Sequence, residues 1–146
     1  MIEDRDSWET PKALWRILNY HYRFEFDCCA TSKNTKCKSW SVQFENNFEL
    51  KENLMCWINP PFSKAYEMIR HFFLSVNKGV GIYRCDNIET KVWQNQIFKY
   101  SDWVFIFNKR VEYEGQKGKG ARFPSALFGV NCLPPNFKNG KLVFLK

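Results

Sequence analysis

Two hydrophobic periods alternate along this 146-residue chain. Thr10 and Pro11 open the first regular stretch, because threonine caps helix N-termini well and proline suits the first helical position. Leu14, Ile17, Leu18 and His21/Tyr22 follow at helical spacing. "FEFDCCA" (24–30) reads as a short strand running into a loop that starts at Asp27. "LMCWIN" (54–59) is a continuous apolar run, as expected of a strand buried on both faces. "KAYEMIRHFFLSV" (64–76) is an amphipathic helix by its period, with Ser63 placed as its N-cap. "GVGIYR" (79–84) predicts a second buried strand, "NIETKVWQNQIFKY" (87–100) a helix and "DWVFIFN" (102–108) a strand. "RVEYEGQKGKGARFP" (110–124), with three glycines and four basic residues, predicts a mobile loop. "SALFGV" (125–130) and "KLVFL" (141–145) close the chain as strands.

Strand, helix, strand, helix, strand is the order of an open α/β sheet with parallel strands. Such sheets bind ligands beyond the carboxyl ends of their strands. Asp27, Asn59 and Arg84 to Asp86 all fall just past predicted strand ends. No repeat, low-complexity tract or linker interrupts the pattern, so residues 1–146 are expected to form one domain.

Composition narrows the class. Hydrophobic residues make up 45% of the chain and aromatics 18%, which argues against disorder. No apolar run reaches the roughly 18–20 residues of a membrane span, and the acidic, polar "MIEDRDSWETP" start is not a secretory signal. Six cysteines (28, 29, 37, 56, 85 and 132) include no CxxC pair, and His21 and His71 lie near no cysteine pair. They are expected to be reduced and mostly buried, as in a cytoplasmic protein, with no metal bound. A net charge of +7 favours polyanions, nucleic acid first, although a basic surface can also be inert.

The most specific chemistry is "NPPF" (59–62). The lone pair of an amine on an aromatic ring is delocalised, so the amine is a poor nucleophile. Attack on a methyl group requires acceptors that hold its N–H bonds away from the attack direction. Asn59 offers a side-chain carbonyl, and a backbone carbonyl stiffened by Pro60 and Pro61 offers a second. Phe62 offers a flat surface for a base. Asn-Pro-Pro is also ordinary turn composition.

"DSWETPKALW", "FDCCATSKNTKC", "WINPPFS", "YRCDNIETKVW" and "ARFPSALFGV" occur in one order along nearly the whole chain. In this the chain resembles the phage DNA N6-adenine methyltransferases of the Dam-like family. The resemblance implies an α/β, Rossmann-like S-adenosylmethionine-dependent fold: compact, with a mostly parallel sheet flanked by helices. It also implies a single minimal catalytic domain without a separate target-recognition domain. Trp8, Thr10 and Pro11 would border the cofactor, Asp27 would hold its amino-acid end, and Cys28, Cys29 and Ala30 would shape the turn. Glu45, Asn46, Asn47 and Glu49 are available to the adenosine part, with Asn47 taken here. Asn59, Pro60, Pro61 and Phe62 would hold the target base. The family's usual valine at position 28 is a cysteine in this chain, its tyrosine at 62 is a phenylalanine, and the glycine-rich turn of the broader methyltransferase class is missing.

The partner implied is double-stranded DNA, met by a monomer or weak dimer in the cytoplasm of a bacterial host. Arg84, Asp86, Lys109, Arg110, Lys117, Lys119 and Arg122 are the candidate nucleic-acid contacts. Lys109–Arg122 reads equally as a solvated turn, and Trp93 reads as a core residue. Cytosine N4, a protein glutamine, or a degenerate fold that only binds nucleic acid or protein are the competing readings.

Overall fold

The structure is a computed structural model and describes residues 8–31, 33–41, 53–115 and 123–146. Helix α1 (Lys12–Tyr22) precedes the short strands β1 (Phe26–Asp27) and β2 (Ser39–Trp40). Strand β3 (Met55–Ile58) leads through a 3-10 turn (Phe62–Lys64) into α2 (Ala65–Ser75) and β4 (Lys78–Arg84). A π-helical segment (Val92–Ile97) runs into α3 (Phe98–Tyr100), followed by β5 (Trp103–Phe107), β6 (Ser125–Val130) and β7 (Gly140–Phe144).

Among the described residues, seven strands form one sheet in the order β2-β1-β3-β4-β6-β5-β7. The fold is therefore mixed α/β: β1 to β5 run one way, and β6 and β7 run against them. β1 pairs in parallel with β2 and β3, and β3 with β4. β6 then inserts antiparallel between β4 and β5, and β7 pairs antiparallel with β5. Ala126, Leu127 and Phe128 of β6 are fully buried, so the inserted strand is central rather than an edge.

Period-two alternation sorts the core onto two faces. Trp57, Val80, Ile82, Trp103 and Phe105 pack with Leu18 of α1 on one face. Cys56, Ile58, Val104 and Phe128 pack with Met68, Ile69 and Phe72 of α2 and with Trp93 and Ile97 on the other. All four residues of β3 are buried, as its unbroken apolar run predicts. All six cysteines are free thiols.

Several local expectations change. Pro11 occupies the N-cap position of α1 without a side-chain cap bond, so Thr10 is not the cap. Ser63 lies inside the 3-10 turn, and Lys64 precedes α2 instead. The helix expected over 87–100 forms only from Lys91 onward, after a turn over 86–89. The segment expected to be a mobile loop begins as packed chain. Val111 and Tyr113 are buried, Tyr113 shares a 2.9 Å hydrogen bond with Ser125, and Glu114 bridges to Glu9. Strand β2 had no apolar signal, since both its residues are exposed.

The chain leaves β1 for β2 on one side and returns to β3 on the other. The switch point thus lies between β1 and β3, where open α/β sheets present their ligand crevice.

Candidate active site

A cleft of about 600 Å³, open mouth included, lies at this switch point. Trp8, Thr10, Asp27, Cys29, Ala30, Asn59 and Pro61, expected from sequence, line it together. Glu9, Thr31, Asn34, Lys36 and Trp57 also line it and were not singled out. The run of polar residues after Asp27 was the one sequence signal for Thr31, Asn34 and Lys36. It marks a loop, and only folding returns Lys36 to the end of β1.

Asp27 ends β1 and is buried. Its Oδ2 accepts the Lys36 N–H at 3.0 Å and its Oδ1 the Cys29 N–H at 3.4 Å. Burial still pushes its carboxyl up to about 6, outweighing those bonds and the Lys36 charge, with Glu9 adding to the rise. Burial also raises the Cys28, Cys29 and Cys37 thiols, so these groups stay neutral. Cys28 is fully buried in the core beneath the cleft and does not line it.

Asn59 follows β3 and is half-buried. Its Nδ2 donates to Thr10 Oγ1 at 3.1 Å, and Thr10 is itself almost wholly buried. The bond leaves Oδ1 as the acceptor of this amide. In the turn that follows, the Pro61 carbonyl accepts the Lys64 N–H at 3.1 Å. Pro60 and Pro61 are both buried, and Pro61 has φ −63°. Pro11 and Pro60 do not line the cleft itself.

Phe62 is only half-buried, but its ring is not an isolated platform. It packs edge-on against Phe123 at 5.3 Å and Trp8 at 6.0 Å, with Tyr83 and Tyr113 at 6.2 and 6.4 Å. This aromatic cluster joins the two halves of the core, because Phe62 packs on both.

Arg84 ends β4 and is held by Asp86 through two bonds, 2.8 and 2.6 Å. The pairing lowers the Asp86 carboxyl, and Arg110 lowers it further. The Arg84 guanidinium lies 4.4 Å from the Phe123 ring centroid and 5.8 Å from that of Phe62. Trp93 is buried and donates to the Arg84 carbonyl at 2.8 Å, so it fixes this corner from within the core. Lys109 and Arg110 are exposed just beyond β5. Strands β1 to β5 point the same way, so Asp27, Asn59, Arg84, Lys109 and Arg110 share one edge of the sheet. Asn47, Lys117, Lys119 and Arg122 lie outside the described residues. Among the described residues, no cluster of His, Cys, Asp and Glu could hold a metal ion.

Comparison with known proteins gives this edge a family. The DNA N-6-adenine-methyltransferase (Dam) family matches residues 1–123, which include every element from α1 to β5. A DNA N-6-adenine-methyltransferase of Haemophilus phage HP1 (strain HP1c1) is 27% identical over 119 residues, covering 75% of this chain and 67% of the relative. This chain belongs to the DNA N-6-adenine-methyltransferase (Dam) family.

Proposed function

We propose that this chain transfers a methyl group from S-adenosylmethionine to the exocyclic N6 of adenine in DNA. One observation carries the reading: Asp27, which ends β1, and Asn59, which follows the adjacent β3, line a single cleft at the switch point of the sheet. The residues present fit such a cofactor. A buried carboxyl raised by desolvation is stabilised when a cation such as an ammonium group arrives. Trp57 and Trp8 add aromatic surface in the same cleft, suited to a sulfonium or an adenine ring. When bound, the cofactor supplies an electrophilic methyl group.

The chain's own residues orient the acceptor. Asn59 Oδ1 and the Pro60 carbonyl accept the two N–H bonds of the amine, which frees its lone pair for attack. The acceleration comes from geometry and fixed dipoles, with no strong base involved. The adenine has to leave the duplex stack to reach this depth. Lys109 and Arg110 supply phosphate contacts on the same edge. No helix of the described residues is long and apolar enough to cross a membrane. The relative is a phage protein, and the cytoplasm of a bacterial host is the proposed setting for this activity.

The test is transfer of tritiated methyl groups to unmethylated DNA, followed by nucleoside analysis. Label in N6-methyl-2′-deoxyadenosine is expected; label only in methylated deoxycytidine, or none, rejects the reading. Asn59→Ala should abolish transfer while the cofactor Kd by isothermal titration stays within about threefold. Full activity in Asn59→Ala rejects the site.

A further inference from the structure

We propose that the Lys36 ammonium group binds the carboxylate of the cofactor's α-amino-acid end, so that the cleft selects a ligand with a zwitterionic tail. The inference rests on the methyl-transfer reading for the identity of the ligand and adds a second charged contact beside Asp27.

An α-amino acid carries its ammonium and its carboxylate on one carbon. A cleft that holds the ammonium at Asp27 therefore brings the carboxylate to the same end. Two acids, Asp27 and Glu9, line that end, and each repels a carboxylate when ionised. A cation has to offset them. Among the described residues that line the cleft, Lys36 is the sole cationic side chain. A lysine ammonium only donates and a carboxylate only accepts, so the contact has one possible sense.

The loop after β1 holds Lys36 at this end. Its N–H donates to Asp27 Oδ2 at 3.0 Å, which sets its backbone against the acid proposed for the ammonium. The residues on either side are fixed as well. The Thr35 N–H donates to the Thr31 carbonyl at 2.9 Å, and the N–H of the buried Cys37 donates to Thr35 Oγ1 at 3.2 Å. The Lys36 side chain is 16% exposed, and its Nζ lies 3.3 Å from Glu9 Oε1. Glu9 is anchored in turn by reciprocal backbone bonds of 2.8 Å with Glu114. An ammonium group has three donors, so Lys36 can hold a ligand carboxylate together with Glu9. Cleft and cofactor then match in charge: two acids and one base face an ammonium, a sulfonium and a carboxylate.

Isothermal titration with S-adenosylmethionine and with its decarboxylated form tests the contact, because the two ligands differ in the carboxylate alone. Wild type should bind S-adenosylmethionine about 10- to 100-fold tighter than the decarboxylated form. Lys36→Met keeps the apolar stem and the backbone N–H to Asp27, and removes the charge. It should weaken S-adenosylmethionine by about 10- to 100-fold and the decarboxylated form by about threefold or less, which erases the preference. Equal losses for both ligands would make Lys36 a structural strut and overturn the inference. Glu9→Gln breaks the ion pair and leaves the Lys36 cation in place, so the preference should persist there. A preference lost in Glu9→Gln as fully as in Lys36→Met would assign it to the ion pair and overturn the inference too. Wild type that binds both forms equally removes the Lys36 contact alone. Wild type that binds neither at millimolar ligand removes the cofactor reading along with it.

Discussion

Lys36 meets Asp27 through its backbone while its ammonium group pairs elsewhere. The Lys36 N–H donates to Asp27 Oδ2 at 3.0 Å, whereas Nζ pairs with Glu9 Oε1 at 3.3 Å. Among the described residues no side-chain cation lies at ion-pair distance from Asp27, and its buried carboxyl is pushed up to about 6.

That displacement sets a pH dependence. The folded value, about 6, lies above the ordinary value of about 3.9 expected in the unfolded chain. Between the two the folded protein binds more protons, so this group's contribution to stability falls as pH rises from about 4 to about 6. The loss is on the order of 1–3 kcal/mol. Urea unfolding across that range should show a steeper decline in wild type than in Asp27→Asn, and parallel curves would contradict it.

Cofactor affinity should move in the opposite sense. An ammonium ligand needs Asp27 ionised, so affinity should rise through about pH 6 and level off above it. Isothermal titration of S-adenosylmethionine from pH 5 to 8 checks this. Asp27→Asn should weaken binding at pH 8 by at least tenfold and flatten the profile, and an unchanged Kd would remove Asp27 from the site.

Salt should separate the edge residues by role. Lys109 is exposed beyond β5 and is not part of the cleft lining. Lys109→Ala should reduce the slope of log K against log salt for DNA binding by about 1, uniformly across sequences. Cofactor affinity should not change. Fluorescence anisotropy between 50 and 200 mM salt reads the slope, and an unaltered slope would place Lys109 off the DNA path.

The centre of the sheet should tolerate no added volume. Gly81 of β4 pairs with Ile58 at the end of β3. A methyl group at Gly81 would sit 2.6 Å from Ile58 Cγ2 and collide with the Phe128 ring. Gly81→Ala should cost roughly 1–3 kcal/mol of stability by overpacking. Its effect should also reach Asn59, the next residue after Ile58, as a lower kcat. Denaturant titration with a kinetic assay tests both.

The most legible elements were those whose apolar period was decided locally. β3, α2, β4, β5 and β6 stand close to where the pattern placed them. Alternation along Trp57, Ile58, Val80, Ile82, Trp103 and Val104 is enough to assign faces once strands are recognised. Features set by distant partners were not legible. The polar, exposed β2 is held by pairing with β1, and the insertion of β6 between β4 and β5 depends on chain return. Thr10 had the local appearance of a cap, and its hydroxyl went to Asn59 instead. Phe62 had the appearance of a free ring, and four aromatic neighbours close around it.

By itself, the sequence determined the α/β class, the buried strands, the stiff Asn59-Pro60-Pro61 turn and the strand-end places of Asp27 and Asn59. These follow from side-chain period, burial preference and proline's fixed φ, all properties of neighbouring residues. The tertiary structure decided that Asp27, Asn59, Thr10, Glu9 and Lys36 share one cleft, and it raised the Asp27 carboxyl to about 6. Desolvation and long-range hydrogen bonds depend on what the fold packs around a group, and no local pattern along the chain encodes that.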